Sequence, residues 1–211
     1  MQFGIIPRRF MRSEAFDFLS NLSTLGQIVL GACLATAGGL AANQLEWRAH
    51  VRRLERNAAL FFGEVLSSFA VILKRADETK QIGDPFGPLT MRILRSARRE
   101  IEIYERNRES ILDLRDAALR ARIYGLTHRL AGPLDGIFDV TQEIGAIEVQ
   151  LRSRQLETED RSEAESRLAG LKERREATYE YIQAKAGDIQ NVVAALAPLA
   201  GQSFVLDEVP L

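Results

Sequence analysis

One cysteine, two histidines and one tryptophan occur in 211 residues, and each scarcity removes a class of reading. A lone Cys33 forms no intrachain disulfide. With only His50 and His128 beside it, no Cys/His metal cluster can be assembled. Prolines number six, so long helices meet few breakers. Charge of one sign is also missing. Twenty-eight basic residues face 29 acidic ones, for a net charge of -1, which argues against a bulk nucleic-acid binder. Lysine is rare: Lys74, Lys80, Lys172 and Lys185 are the whole set, an arginine bias that a GC-rich genome explains as readily as a mechanism does. No glycine-rich phosphate loop follows a strand pattern, and no nucleophile elbow is present. No Ser/His/Asp or Cys/His set stands out. The expectation is therefore no catalytic, cofactor-binding or metal-ligating residue, no cofactor and no small-molecule substrate.

What the chain does have is one long uncharged run. Phe18 to Leu45 contains no Asp, Glu, Lys or Arg. Its apolar centre, Leu25 to Ala42, spans about 27 Å as a helix at 1.5 Å per residue, close to a hydrocarbon core of about 30 Å. The run is read as a single transmembrane helix, and membrane lipid as the first partner. Gly31, Ala35 and Gly39 recur at steps of four on one face, and Gly38 and Ala42 form a second such pair. Small residues at that spacing let two membrane helices approach closely, so a homodimer or another protein partner is expected through this face.

Trp47 and Arg48, Arg52, Arg53 and Arg56 follow the run. They fit an interfacial aromatic and a topology or headgroup signal. Arg8, Arg9 and Arg12 precede it. Four arginines against three place the C-terminal part in the cytoplasm and the protein in a bacterial inner membrane. Two processing readings compete. Leu30-Gly31-Ala32-Cys33 resembles a lipobox, in which Cys33 would be lipidated, and Ala35-Thr36-Ala37 resembles a signal-peptidase site. Both gain if translation starts at Met11. Against both, the neutral run continues through Leu45, and Glu14 and Asp17 stand where a basic segment belongs.

The remainder reads as charged, amphipathic helix. Residues 1–17 form a tail or an interfacial helix using Phe10, Ala15, Phe16 and Leu19. After the anchor at 18–45, Val51, Leu54, Ala58, Phe61, Val65, Phe69 and Ile72 mark one face of a juxtamembrane helix over 46–80. Gly83, Pro85, Gly87 and Pro88 make 81–89 a loop. Thr90 is a fair N-cap for a helix carrying Ile93, Leu94, Ala97, Ile101 and Tyr104, which weakens at Asn107. Asp113 and Asp116 resemble a capping pair for a restart. Leu130, Ile137, Ile144 and Leu151 then fall seven apart, with Gly132-Pro133 expected to kink the helix without ending it. Ser153 to Ser162 reads as a polar turn. A last helix carries Leu168, Leu171, Tyr179, Ile182, Ala186, Ile189, Val193, Leu196 and Leu199, closed by Pro198 and Gly201 before a tail at 201–211.

The fold class is therefore all-α: an N-terminal transmembrane helix continuing into a helical bundle at 90–200 with a long antiparallel, coiled-coil-like hairpin. Two clusters draw attention without carrying chemistry. Arg92, Arg95, Arg98 and Arg99 have Glu100, Glu102 and Glu105 as neighbours and read as a solvated, salt-bridged face. Asp135, Asp139 and Glu143 share a face with no histidine among them, and read as polar bundle surface. The layout resembles that of bacterial single-pass proteins with an anchor, an arginine-rich flank and a helical domain. The function expected is scaffolding or tethering by protein–protein contact, without catalysis. The alternative is an exported or lipidated envelope protein, spanin-like or a spacer, whose hairpin crosses the periplasm. A third reading is an enzyme or nucleotide-responsive effector with its site between helices.

Overall fold

The computed structural model describes residues 10–152 and 158–204, with side chains from Gly26 onward except Ile28 and Thr158. The described residues are helical almost throughout and contain no strand. Four helices follow in order: α1 (Phe10–Ile82), α2 (Pro88–Arg106), α3 (Ala117–Arg152) and α4 (Thr158–Ala200), with a 3₁₀ segment, Arg108–Asp113, between α2 and α3. The chain divides into two compact units, with the boundary between Val51 and Arg52. Residues 10–17, expected as a tail or an interfacial helix, are helical and belong to α1. Residues 1–9, the 153–157 part of the polar turn and the 205–211 part of the tail lie outside the described residues.

The second unit is a bundle. Its largest helix pairing joins α3 to α4. Ile123, Leu126, Leu130, Leu134, Ile137, Ile144 and Ile147 are buried on α3, and Tyr179, Ile182, Ile189, Val192, Val193 and Leu196 on α4. Steps of three, four and seven put these side chains on one stripe of each helix. Pro133 lies inside α3 and does not end it. The ring removes one amide donor, yet Leu130, Leu134 and Ile137 on both sides stay buried. Asp116 caps α3: its Oδ1 accepts from the amides of Ala118 at 2.8 Å and Leu119 at 3.1 Å, satisfying two of the donors a helix start leaves free. Gly201, with φ at 72°, closes α4 in the left-handed region, and its amide donates to the Ala197 carbonyl at 3.0 Å.

The α1 segment of this bundle buries Ala58, Ala59, Phe62, Val65, Leu66, Phe69, Leu73 and Ala76. Ala58, Val65 and Phe69 of the expected face are buried, and the apolar stripe is wider than that face, with its centre running through Phe62 and Leu73 as well. Phe61 and Ile72 pack at the stripe's edge. The second helix also starts earlier than Thr90: Gly87 occupies the cap position without a side-chain bond, and Pro88 leads the first turn. Pro at that position forfeits only an amide that would lack a partner anyway. Thr90 is buried inside α2.

Polar ties fix the bundle's register. Ser68 donates to Glu100 Oε1 at 3.0 Å, Arg98 Nε to Asp135 Oδ1 at 2.7 Å, and Arg56 Nε to the Ala200 carbonyl at 3.1 Å. Lys80 pairs with Glu176 and lies 4.3 Å from the centre of the Tyr179 ring. Gly63 answers a close approach. A Cβ there would stand 2.0 Å from Phe204 Cζ, so the ring of Phe204 occupies the space that any other residue would fill.

Candidate functional site

Two surfaces of this chain have more apolar exposure than a solvated protein needs. The first is the uncharged part of α1. Every described side chain from Gly26 to His50 is exposed. Val29, Leu30, Leu34, Leu40, Leu45 and Trp47 leave 60–67 % of their surface bare. Nothing lies within 4 Å of where a Cβ would stand on Gly31, Gly38 or Gly39, and Ala35 and Ala42 are exposed beside them. Cys33 is a free, exposed thiol. Thr36 returns its hydroxyl to the Ala32 carbonyl at 2.8 Å, so its polar group is satisfied within the helix.

Among the described residues one helix, α1, is long and apolar enough to cross a membrane. Its most apolar described window has half of its residues buried, which places that window in the bundle part of α1, since the described residues 26–50 are all exposed. Length and composition therefore flag a core helix. Exposure singles out the other stretch. Of the flanking arginines, Arg48, Arg52 and Arg53 are exposed, and Arg56 is engaged with the end of α4.

The second surface is a corner of the bundle that the sequence did not reveal. Tyr104, Arg108, Ile111, Leu112, Arg120 and Tyr124 line an open cleft of about 500 Å³. Ile111 packs against the core and Leu114 is fully buried. Leu112, between them on a tight turn, is left 73 % exposed, and Tyr124 59 % exposed. The turn is held at several points. The Arg115 amide donates to Glu55 Oε1 at 3.2 Å, the Arg115 guanidinium sits 3.6 Å from Glu55 Oε2, and Arg120 donates to the Leu114 carbonyl. Tyr104 is buried with a hydroxyl that has no partner among the described residues. No sequence signal could have found this cleft, because Tyr104 and Tyr124 come together only through the 3₁₀ turn.

Each charged cluster is paired in part, and Arg92, Arg95 and Arg99 are exposed. Arg98 pairs with Asp135 and Glu105, and the hydrogen bond it donates to Asp135 raises its pKa. Glu143 pairs with Arg167. No group of three His, Cys, Asp or Glu residues is placed to hold a metal among the described residues. His128 is exposed and stacks on Tyr124. Tyr179 is buried in a small network, donating to Asp77 Oδ1 at 3.4 Å and accepting from Gln183 at 2.8 Å. Burial pushes its hydroxyl pKa above the ordinary tyrosine value. Arg175 lies 4.0 Å over the Phe86 ring, and burial lowers its pKa.

No protein-family model, curated protein or solved structure matches this chain.

Proposed function

We propose that this is a single-pass protein of a bacterial inner membrane, spanning it through residues 18–45, whose cytoplasmic helical bundle works by protein–protein contact. The bundle would act as a scaffold or tether, with no bond chemistry of its own. One observation carries the reading: the bare apolar stretch of α1. Burying a Val or Leu side chain is worth about 1.5–3 kcal/mol. Val29, Leu30, Leu34, Leu40 and Leu45 each leave 60 % or more of that surface uncovered, so about 5–10 kcal/mol of burial is unrealised in the isolated chain. That equals the whole stability of a typical domain. A lipid core covers such a surface at no polar cost, because a helix satisfies its own backbone.

The small-residue face, Gly31, Ala35 and Gly39 with Gly38 and Ala42, is the proposed contact between two copies. α3 and α4 form an antiparallel, coiled-coil-like hairpin that offers its ends to partners. Held in a plane, the bundles gain effective concentration, so weak contacts suffice.

Extraction of membranes with alkaline carbonate tests the span: the protein stays in the pellet and leaves it only with detergent. Recovery in the aqueous phase would refute the reading. A C-terminal alkaline phosphatase fusion is inactive if the bundle is cytoplasmic; an active fusion would instead support the exported alternative. Gly39→Ile lowers the dimer fraction measured by crosslinking in membranes. An unchanged fraction removes the small-residue interface.

A further inference from the structure

The 3₁₀ corner combines three features that the scaffold reading does not use. Leu112 is exposed on a turn that is tied down just after it, at Leu114 and Arg115. An open apolar cleft of about 500 Å³ lies next to it, within the size range of sites that take small ligands or single chains. The charged residues that line the cleft are Arg108, Glu109 and Arg120. Arg108 lines the cleft and makes no hydrogen bond or ion pair with the described residues, whereas Arg120 lines it while bound to the turn's carbonyls. The tie between Arg115 and Glu55 brings this corner to the turn of α1 that carries Arg52, Arg53 and Arg56. Six arginines gather there against four carboxylates, those of Glu55, Glu109, Asp113 and Asp116, on a chain whose net charge is -1.

We propose that this corner is a second lipid contact, in which Leu112 enters an anionic leaflet, one acyl chain of a phospholipid fills the cleft, and Arg108 meets the phosphate. The inference rests on the membrane reading of α1. Only six residues separate Leu45 from Arg52 in the sequence. Charge complementarity selects the occupant. An apolar tip beside Arg108, on segments with more arginines than carboxylates, matches an acidic headgroup layer over hydrocarbon, where basic side chains gain from the surface potential and apolar ones from burial. A second copy of the chain would bring the same arginines against each other.

The test uses the full chain in nanodiscs containing phospholipid brominated on its acyl chains. Trp47 is the sole native tryptophan, so its quenching reports on the span by itself. In a Trp47→Phe background, Leu112→Trp places an indole on the cleft's rim at an exposed position. Glu163→Trp, on an exposed part of α4, gives the reference for an indole away from lipid. The expected result is strong loss of emission at position 112 in anionic discs, less in zwitterionic discs or high salt, and little at position 163 in either. Arg108→Ala should bring position 112 in anionic discs down to its zwitterionic level. Emission at position 112 that matches position 163 in anionic discs would overturn the proposal, even with Trp47 quenched. Crosslinking between copies through position 112 without quenching would assign the corner to self-association instead, and would also overturn it. If Trp47 itself is unquenched, the span falls, and the lipid contact that rests on it falls too, whatever position 112 reports.

Discussion

Gly63→Ala sets two well-known effects against each other, and their balance tests how α1 and the end of α4 meet. In an ordinary helix interior, replacing Gly by Ala stabilises by about 1 kcal/mol through backbone entropy. At position 63 the new methyl would lie 2.0–2.4 Å from three atoms of the Phe204 ring, far inside van der Waals contact, so the ring must leave. Phe204 is partly buried and packs against the core. Losing that packing costs about 1–2 kcal/mol, taken as a fraction of the value for a fully buried phenylalanine. The substitution should therefore be neutral or destabilising by up to about 1 kcal/mol in the native chain. In a Phe204→Ala background the ring is already gone, and Gly63→Ala should stabilise by about 1 kcal/mol. The double-mutant cycle isolates a coupling of about 1–2 kcal/mol, well above the few tenths by which independent sites deviate from additivity. Urea unfolding of the full chain in mild detergent, followed by far-UV circular dichroism, measures all four proteins. Their denaturant slopes should agree, which would show that the unfolded states are comparable. If Gly63→Ala stabilises both backgrounds equally, Phe204 does not sit on α1, and the glycine has no packing reason to be there.

Three further outcomes follow from the same packing. Leu134→Ala, at a position with no exposed surface, should cost about 2–5 kcal/mol in the same unfolding assay, whereas Leu112→Ala should stay within about 0.5 kcal/mol. Asp116→Ala removes both cap bonds of α3 and should cost about 0.5–2 kcal/mol; Asp116→Asn should recover most of it. Tyr179 has a pKa raised by burial, so the folded state holds its proton more tightly than the unfolded one. Its contribution is complete below the ordinary tyrosine pKa of about 10 and declines as pH rises above it. Tyr179→Phe should therefore flatten the loss of stability in that alkaline range relative to the native chain, and equal slopes would show that other groups govern it.

Much of the helical plan was legible because helix periodicity is a local signal. Gly83, Pro85, Gly87 and Pro88 announced the break between α1 and α2, and Asn107 the end of α2. The buried seams of α3 and α4 fall on the residues that their steps of three, four and seven select. Asp116 acts as the cap its position suggests, and Pro133 interrupts nothing because the apolar stripe stays in phase across it. The misplacements are equally physical. The wide apolar stripe of α1 contains both Phe61 and Phe62, and only the packed bundle decides that Phe62 is central. Pro88 takes the first turn of α2, where its missing amide is no loss, so the helix begins before Thr90. Gly63 and Phe204 are 141 residues apart, and no pattern within either segment could pair them. The cleft at the 3₁₀ corner was hidden for the same reason. Tyr104 and Tyr124 look alike as sequence, yet one is buried and the other 59 % exposed, a difference set by a turn whose geometry only the fold supplies.

α1 holds two apolar stretches that composition alone confuses, and the contrast between them bears on the proposed span. The stretch within the bundle includes a charge, Glu64, and its large side chains gather on one stripe: Phe62, Leu66, Phe69 and Leu73 are buried while Glu64 is exposed. That is the signature of a helix with water on one side and protein on the other. The earlier stretch has no charge on any face from Phe18 to Leu45. Its leucines at 30, 34, 40 and 45 are exposed together, and glycine and alanine take most of the positions between, with Cys33, Thr36, Asn43 and Gln44 the others. A helix whose exposed leucines are not gathered against one protein face is better covered by an apolar environment on several sides, which a single protein partner on one side would not supply. Lipid would cover the leucines while a second helix meets the glycines, so the span and the dimer face account for different residues of the same stretch. Adding one charge separates them: Leu34→Arg should impair membrane insertion, at a cost of about 2.5–3.5 kcal/mol near the bilayer centre, while leaving Gly31, Ala35 and Gly39 intact. If Leu34→Arg remains as resistant to carbonate extraction as the native protein, the stretch is held by something other than lipid.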